Sequence, residues 1–193
     1  MIETLHSWDV ALLLKLNSFH NPSWDTVMSV STGRWIWIPI YLALFVLIIL
    51  RFRKQAIPVF IAAALTIVLS DQVSRACKYG FKRERPCHNE MIASQLHVPD
   101  GCGGKYGFVS SHAANSFGLS FFIWLLWKGR KQRRWLLLLF PWAIYMTYTR
   151  IYLGVHYPLD IAGGAFVGLA VAALSVFIYR RWLVKIVPAV RNT

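Results

Sequence analysis

Apolar residues gather in five stretches along the chain, at roughly 35–50, 56–79, 111–128, 135–150 and 158–180. A helix needs about 20 mainly apolar residues to cross a bilayer. The last stretch runs clean from Leu159 to Ile178. The second is apolar from Ala56 to Leu69 and then turns polar at Ser70-Asp71-Gln72, while the third and fourth each carry one polar end. Residues 4–20, TLHSWDVALLLKLNSFH, are amphipathic and too polar to span, and Asn21-Pro22 ends them. Such a helix lies in the headgroup region. The pattern predicts an all-α polytopic membrane helical bundle of about five transmembrane spans plus an N-terminal interfacial amphipathic helix. A single domain is expected over 1–193, with 1–33 interfacial, 34–182 forming the bundle and 183–193 a cytoplasmic tail.

Composition sharpens this reading. The 193 residues are 56% hydrophobic and 15% charged, with mean hydropathy +0.47. Soluble domains carry about 25% charged residues, so disorder is excluded and a water-soluble globule disfavoured. Lys and Arg number 21 against 8 Asp and Glu, a net charge of +13. In a membrane chain that excess faces lipid headgroups or an anionic substrate, and no nucleic-acid partner is expected. Arg51, Arg53 and Lys54 follow the first span; Lys128, Arg130, Lys131, Arg133 and Arg134 join the third to the fourth; Arg180, Arg181, Lys185 and Arg191 end the chain. No acid lies among them. Basic connections mark the cytoplasmic side, so the C-terminus is expected inside and the N-terminus outside. No cleaved signal peptide is expected. The other basic residues cluster on the outer side, against the trend, and so ask for a local function.

Cys77 falls within a span and reads as a packing thiol. Cys87 and Cys102 share an outer loop, where an oxidising compartment permits a bridge. Closing a loop of about 15 residues adds roughly 3 kcal/mol; two free thiols are the alternative. Gly164 and Gly168 form a small-xxx-small pair that marks either a homodimer face or packing inside the bundle.

Three polar clusters meet on the outer face. In the first, KYGFKRERP at 78–86, Asp71, Arg75, Lys78 and Lys82 share one helical stripe, and Pro86 ends the helix at Arg85. Charge within a span faces the bundle interior. In the second, FVSSHAANS at 108–116, Ser110 or Ser111 caps a helix whose free N–H groups make an anion site, with His112 in the first turn. In the third, TRIYLGVHYPLD at 149–160, Pro158 opens a helix, and Asp160 reaches back to one ring nitrogen of His156. The other nitrogen is then free as nucleophile or base. Arg150 adds a guanidinium suited to phosphate oxygens. Taken singly, each cluster is also what a helix cap or a snorkelling basic edge looks like. Together they suit a phosphate ester, one His attacking phosphorus and the other protonating the leaving oxygen. No carboxylate cluster offers metal ligands, so a metal- and cofactor-independent reaction is expected.

At this point the chain resembles a known family. Lys78, Arg85 and Pro86 match Lys-six residues-Arg-Pro; Val109-Ser110-Ser111-His112 matches Pro-Ser-Gly-His in part; Thr149, Arg150, His156 and Asp160 match Ser-Arg-five residues-His-three residues-Asp. These motifs are similar to those of the type 2 phosphatidic acid phosphatases, membrane lipid phosphate phosphatases related in fold to vanadium haloperoxidases. The resemblance implies His156 as nucleophile through a phosphohistidine, Asp160 orienting it, and His112 as general acid. It implies phosphoryl contacts from Lys78, Arg85, Ser110 and Arg150, with backbone help from Ser111. Val109, Ser111 and Thr149 depart from the pattern without removing a catalytic group. The implied setting is a bacterial inner membrane with the site facing the periplasm or exterior. Expected substrates are a polyprenyl diphosphate such as undecaprenyl diphosphate, which is preferred, or phosphatidylglycerol phosphate. A lipid-to-lipid phosphotransferase, a lipid A phosphatase and a non-enzymatic transporter or lipid-binding bundle stay open.

Overall fold

The computed structural model describes residues 2–33, 35–127 and 129–185. Eight α-helices run in order among them: α1 Ile2–Asn17, α2 Pro22–Thr32, α3 Ile38–Phe52, α4 Ala56–Phe81, α5 Ser111–Leu126, α6 Arg130–Leu136, α7 Leu139–Tyr152 and α8 Pro158–Arg181. The described residues hold no strand, only an isolated bridge between Glu84 and Tyr106. The apolar stretches become α3, α4, α5, α7 and α8, and the basic connection forms the short α6. Of the predicted tail, residues 183–185 form one 3-10 turn. The rest of the tail, with Arg191, and Lys128 of the basic connection lie outside the described residues.

Two helical stretches, Trp35–Phe81 and Pro158–Lys185, are long and apolar enough to cross a membrane. The 16 residues of α5 and 14 of α7 reach about 24 and 21 Å, short of a hydrocarbon core of about 30 Å. Leu42, Phe45, Leu50, Ile57, Ile61, Val68, Ile144, Phe166 and Phe177 point outward and stay exposed. An apolar surface on that scale needs lipid, not water, around it. The basic connections gather at the end away from the polar clusters. There Gln55 Nε2 donates to Val184 O (3.2 Å), Arg180 Nη2 donates to Leu125 O (2.7 Å), and the Phe52 and Trp127 rings meet edge-on.

The tightest helix pair is α5 with α8. A Cβ on Gly168 would lie 2.8 Å from Gly118 N and would also strike Ala114 O; one on Gly164 would lie 2.8 Å from Ala113 Cβ. The Gly164–Gly168 pair is therefore used inside the bundle, where two backbones touch, and offers no dimer face.

α1 ends at Asn17, before the expected stop at Asn21-Pro22, and that dipeptide instead opens a helix that the pattern left unread. Asn21 Oδ1 accepts the Trp24 N–H (3.0 Å) and Pro22 takes the first helical position. The amphipathic helix α1 sits with its polar stripe inward. Asp9, Leu13 and Asn17, one turn apart, are buried, whereas Leu5, Trp8 and Leu12 are exposed. Asn17 Nδ2 donates to the carbonyls of His97, Ile151 and Tyr152, satisfying orphan groups at the end of α7.

Candidate active site

The first cluster does not run as helix to Arg85. α4 stops at Phe81 because Lys82 turns into the left-handed region (φ 49°), so Lys82 leaves the predicted stripe and is exposed. Residues 83–85 then lie extended against 105–107: Arg85 N donates to Lys105 O (2.9 Å) and Gly107 N to Arg83 O (2.9 Å). This pairing, and not Pro86, sets the position of Arg85. Asp71, Arg75, Lys78 and Arg85 line a cavity of about 480 Å3 with Tyr106 and Ser111.

Cys87 and Cys102 are joined, with Cα atoms 5.7 Å apart, and Cys77 is free. The bridged loop touches the site directly: Arg85 Nη1 donates to Cys102 O (3.1 Å). Burial lowers the Arg85 pKa, an effect that nearby Asp160 partly offsets.

Ser110 and Ser111 divide the work at the start of α5. Ser110 is wholly buried, its Oγ accepts the Ala113 N–H (3.5 Å) as N-cap, and its own N–H donates to Asp160 O (3.0 Å). Ser111 faces the cavity, its Oγ 2.7 Å from Lys78 Nζ. Of the two hydroxyls, Ser111's is the one placed beside a cation. His112 and Asn115 line a second, adjoining cavity of about 860 Å3 with Thr32, Asp71, Ser111 and Trp142. Arg150, in the last turn of α7, donates from Nη1 to Thr32 Oγ1 (2.6 Å).

The third cluster closes as its spacing predicts. Pro158 opens α8, and Asp160 Oδ2 lies 3.2 Å from His156 Nδ1 and accepts the Tyr157 N–H at 3.1 Å. With Nδ1–H donating to Asp160, the lone pair of the ring sits on Nε2. Burial pulls the His156 pKa down to about 4, against the raising effect of Asp160. The imidazole is thus neutral near pH 7. Gly107 seals the pair from above and brings Arg85 in. A Cβ there would lie 2.9 Å from Asp160 Oδ2, 3.2 Å from Arg85 Cγ and 3.5 Å from His156 Nδ1.

Two residues of this site escaped the sequence reading. Arg83 Nη1 donates to Asp160 Oδ1 (2.7 Å) and Nη2 to Asp9 Oδ2 (2.6 Å), with the guanidinium 4.0 Å over the Tyr157 ring. Asp9 Oδ1 accepts the Leu159 N–H (2.9 Å). The N-terminal helix is thereby wired to the carboxylate that holds His156. The inward stripe of α1, with Asp9 and Asn17 one turn either side of Leu13, was the available signal. Among the described residues, no group of three or more His, Cys, Asp and Glu side chains is placed to hold a metal ion.

Comparison with known proteins gives the family. The chain is 41% identical over 173 residues to a lipid A 4'-phosphatase of Bacteroides thetaiotaomicron, covering 87% of this chain and 75% of that one. It is 32% identical over 190 residues to a lipid A 4'-phosphatase of Porphyromonas gingivalis, covering 92% and 77%. Its fold is similar to that of a transmembrane PAP2-type phosphatidylglycerolphosphate phosphatase from Bacillus subtilis, with a TM-score of 0.71 at 19% identity, covering 93% of this chain and 88% of that one. The profile of the PAP2 superfamily matches residues 56–183, the helices that carry Lys78, Arg85, His112, Arg150, His156 and Asp160, and the chain belongs to that superfamily.

Proposed function

We propose that this chain is an integral-membrane phosphatase that hydrolyses the phosphate of lipid A, acting through a phosphohistidine on His156. The neutral, buried His156, held by Asp160 and within reach of the charges of Arg85 and Arg150, carries the reading. Identity to two lipid A 4'-phosphatases favours lipid A over the polyprenyl diphosphate preferred from the sequence. Lys82, the last residue of the basic stripe, is exposed and does not line the cavity.

In the first step the His156 Nε2 lone pair attacks phosphorus and the P–O bond to the leaving alcohol breaks. Lys78, Arg85, Arg150 and the Ser111 hydroxyl hold the equatorial oxygens, where charge accumulates. His112 gives its proton to the leaving oxygen. In the second step His112 takes a proton from water, whose oxygen attacks phosphorus. The P–N bond breaks, inorganic phosphate leaves, and both imidazoles are restored. Asp160 keeps the proton of His156 on Nδ1 throughout. Each step needs side chains alone and no metal ion.

α3, α4, α5, α7 and α8 form the five spans of one domain, with α1 and α2 in the outer interface. The inner end carries Arg51, Arg53, Lys54, α6 and the end of α8. The site then opens toward the periplasmic side of a bacterial inner membrane, beneath the ends of the two short helices α5 and α7. The test is phosphate release by purified protein in detergent with excess EDTA, across lipid A, undecaprenyl diphosphate and phosphatidylglycerol phosphate. The expected result is the highest kcat/KM on lipid A, undiminished by EDTA. No release from any of the three, or release only with added Mg2+, overturns the proposal.

A further inference from the structure

Arg83 and Arg150 both stand near the catalytic pair, and they are held in opposite ways. Arg83 is bridged by the carboxylates of Asp9 and Asp160, which balance its charge within the protein. Arg150 forms no ion pair among the described residues. Its Nη1 donates to Thr32 Oγ1 at 2.6 Å, the one hydrogen bond of this side chain among the described residues. Its Nε is shut off from solvent without a partner, so Nη2 and the second Nη1 hydrogen are what remain for a substrate oxygen. A carboxylate in the place of Thr32 would compete with the phosphoryl group for the guanidinium. A hydroxyl orients the guanidinium and leaves its charge uncompensated, ready for the charge that develops on the equatorial oxygens.

Thr32 is itself fixed by contacts that do not involve Arg150. It is the last residue of α2, and α2 lies along one face of α7. Asp25 Oδ1 accepts the Tyr152 hydroxyl proton (2.7 Å), Met28 packs with Tyr152, Leu153 and Val155, and Ser31 Oγ accepts the Tyr145 hydroxyl proton (2.7 Å). Ser31 O also accepts the Trp37 Nε1–H (2.7 Å). Asp25, Met28 and Thr32 follow at intervals of three and four residues, the spacing that lines up one helix face. The stripe that seats α2 on α7 therefore delivers Thr32 to Arg150, and α2 keeps its seat without the Thr32 hydroxyl. Thr32 also lines the cavity that holds His112, so this bond stands at the wall of the site. Arginine is rich in rotamers, and a single bond that selects one of them prepares the site before substrate arrives.

We infer that Thr32 is a positioning residue for Arg150: its hydroxyl holds the guanidinium, charge intact, where the phosphoryl oxygens come to lie. This rests on the phosphatase reading above. The test is a double-mutant cycle in one detergent, on whichever of lipid A, undecaprenyl diphosphate and phosphatidylglycerol phosphate the wild type turns over fastest. Thr32→Val keeps the branched shape and removes the hydroxyl. Its kcat/KM should fall about 10- to 100-fold, mostly through kcat. Its Tm should stay within about 4 °C of wild type, because Asp25 and Ser31 still hold α2. Thr32→Ser restores the hydroxyl and should return kcat/KM to within about threefold of wild type. In an Arg150→Ala background, Thr32→Val should cost less than about twofold more, since Thr32 acts only through the guanidinium. Comparing the two backgrounds also cancels any loss of folded enzyme that Thr32→Val causes by itself. Wild type active, with Thr32→Val unimpaired or equally impaired in both backgrounds, refutes the positioning role and leaves the phosphatase reading standing. Wild type inactive on all three lipids refutes both.

Discussion

Replacing Arg83 by Gln removes the one guanidinium that two buried carboxylates share. Asp9 and Asp160 have side chains 1% and 0% exposed, and Arg83 reaches them at 2.6 and 2.7 Å. Removing one partner of a buried ion pair costs about 3–5 kcal/mol, because the remaining charge stays uncompensated. For a chain of this size each kcal/mol moves Tm by about 2–4 °C, so a fall of about 6–20 °C is expected in detergent melts. Catalysis should change in a way that loosened packing alone would not cause. Asp160 keeps its contacts to His156 Nδ1 and Tyr157 N but loses its counter-ion, so its charge acts on the imidazole undiminished. That favours imidazolium, and the acid limb of kcat/KM set by His156 near pH 4 should move upward. Arg83→Lys, which holds one carboxylate at a time, should fall between the two in both readouts. A Gln variant melting within about 2 °C of wild type, with its acid limb unmoved, would refute the account of the Asp9–Arg83–Asp160 chain.

Gly107→Ala sets a methyl 2.9 Å from Asp160 Oδ2 and 3.5 Å from His156 Nδ1; kcat should drop about 10- to 100-fold, and unaltered kcat would show that the lid over the pair yields freely. Reducing the Cys87–Cys102 bridge frees the loop whose Cys102 carbonyl holds Arg85. Tm should fall by about 6–12 °C, following the roughly 3 kcal/mol expected for such a loop, and KM should rise. Quantitative alkylation of both thiols without reductant contradicts this. His156 is neutral down to about pH 4 in the folded chain, against about 6.5 unfolded. As pH falls the unfolded chain takes up the proton first, so the stability present above pH 6.5 is lost between about 6.5 and 4. Wild type should therefore lose more Tm over that window than His156→Asn, and parallel curves refute the shift.

The sequence carried what local rules can carry. Ser110 as N-cap, Pro158 at a helix start and Asp160 four residues after His156 are short-range relations, and the structure keeps each of them. Helices α3, α4, α5, α7 and α8 followed from apolar runs broken by charge. Contacts across the chain were illegible. Asp9 and Arg83 meet over 74 residues of sequence, and an acid on an amphipathic helix reads as headgroup-facing until packing turns it inward. The stripe through Lys82 failed for a backbone reason: a left-handed cap can end a helix at a residue with no distinguishing side chain. Asn21-Pro22 read as a stop because stop and start signals share residues, and only the capping bond to Trp24 separates them.

The central claim is that His156 is the nucleophile, and the most direct measurement is phosphate release by His156→Ala on lipid A, with folding checked by an unchanged melting profile at pH 7.5. That claim rests on the buried pair that His156 forms with Asp160. The account predicts a fall in kcat of about 10^4-fold or more, the scale seen when a nucleophile is removed from a preorganised site. Asp160→Asn, which leaves the attacking nitrogen in place, should lose distinctly less. Turnover by His156→Ala within about tenfold of wild type would contradict the phosphohistidine mechanism.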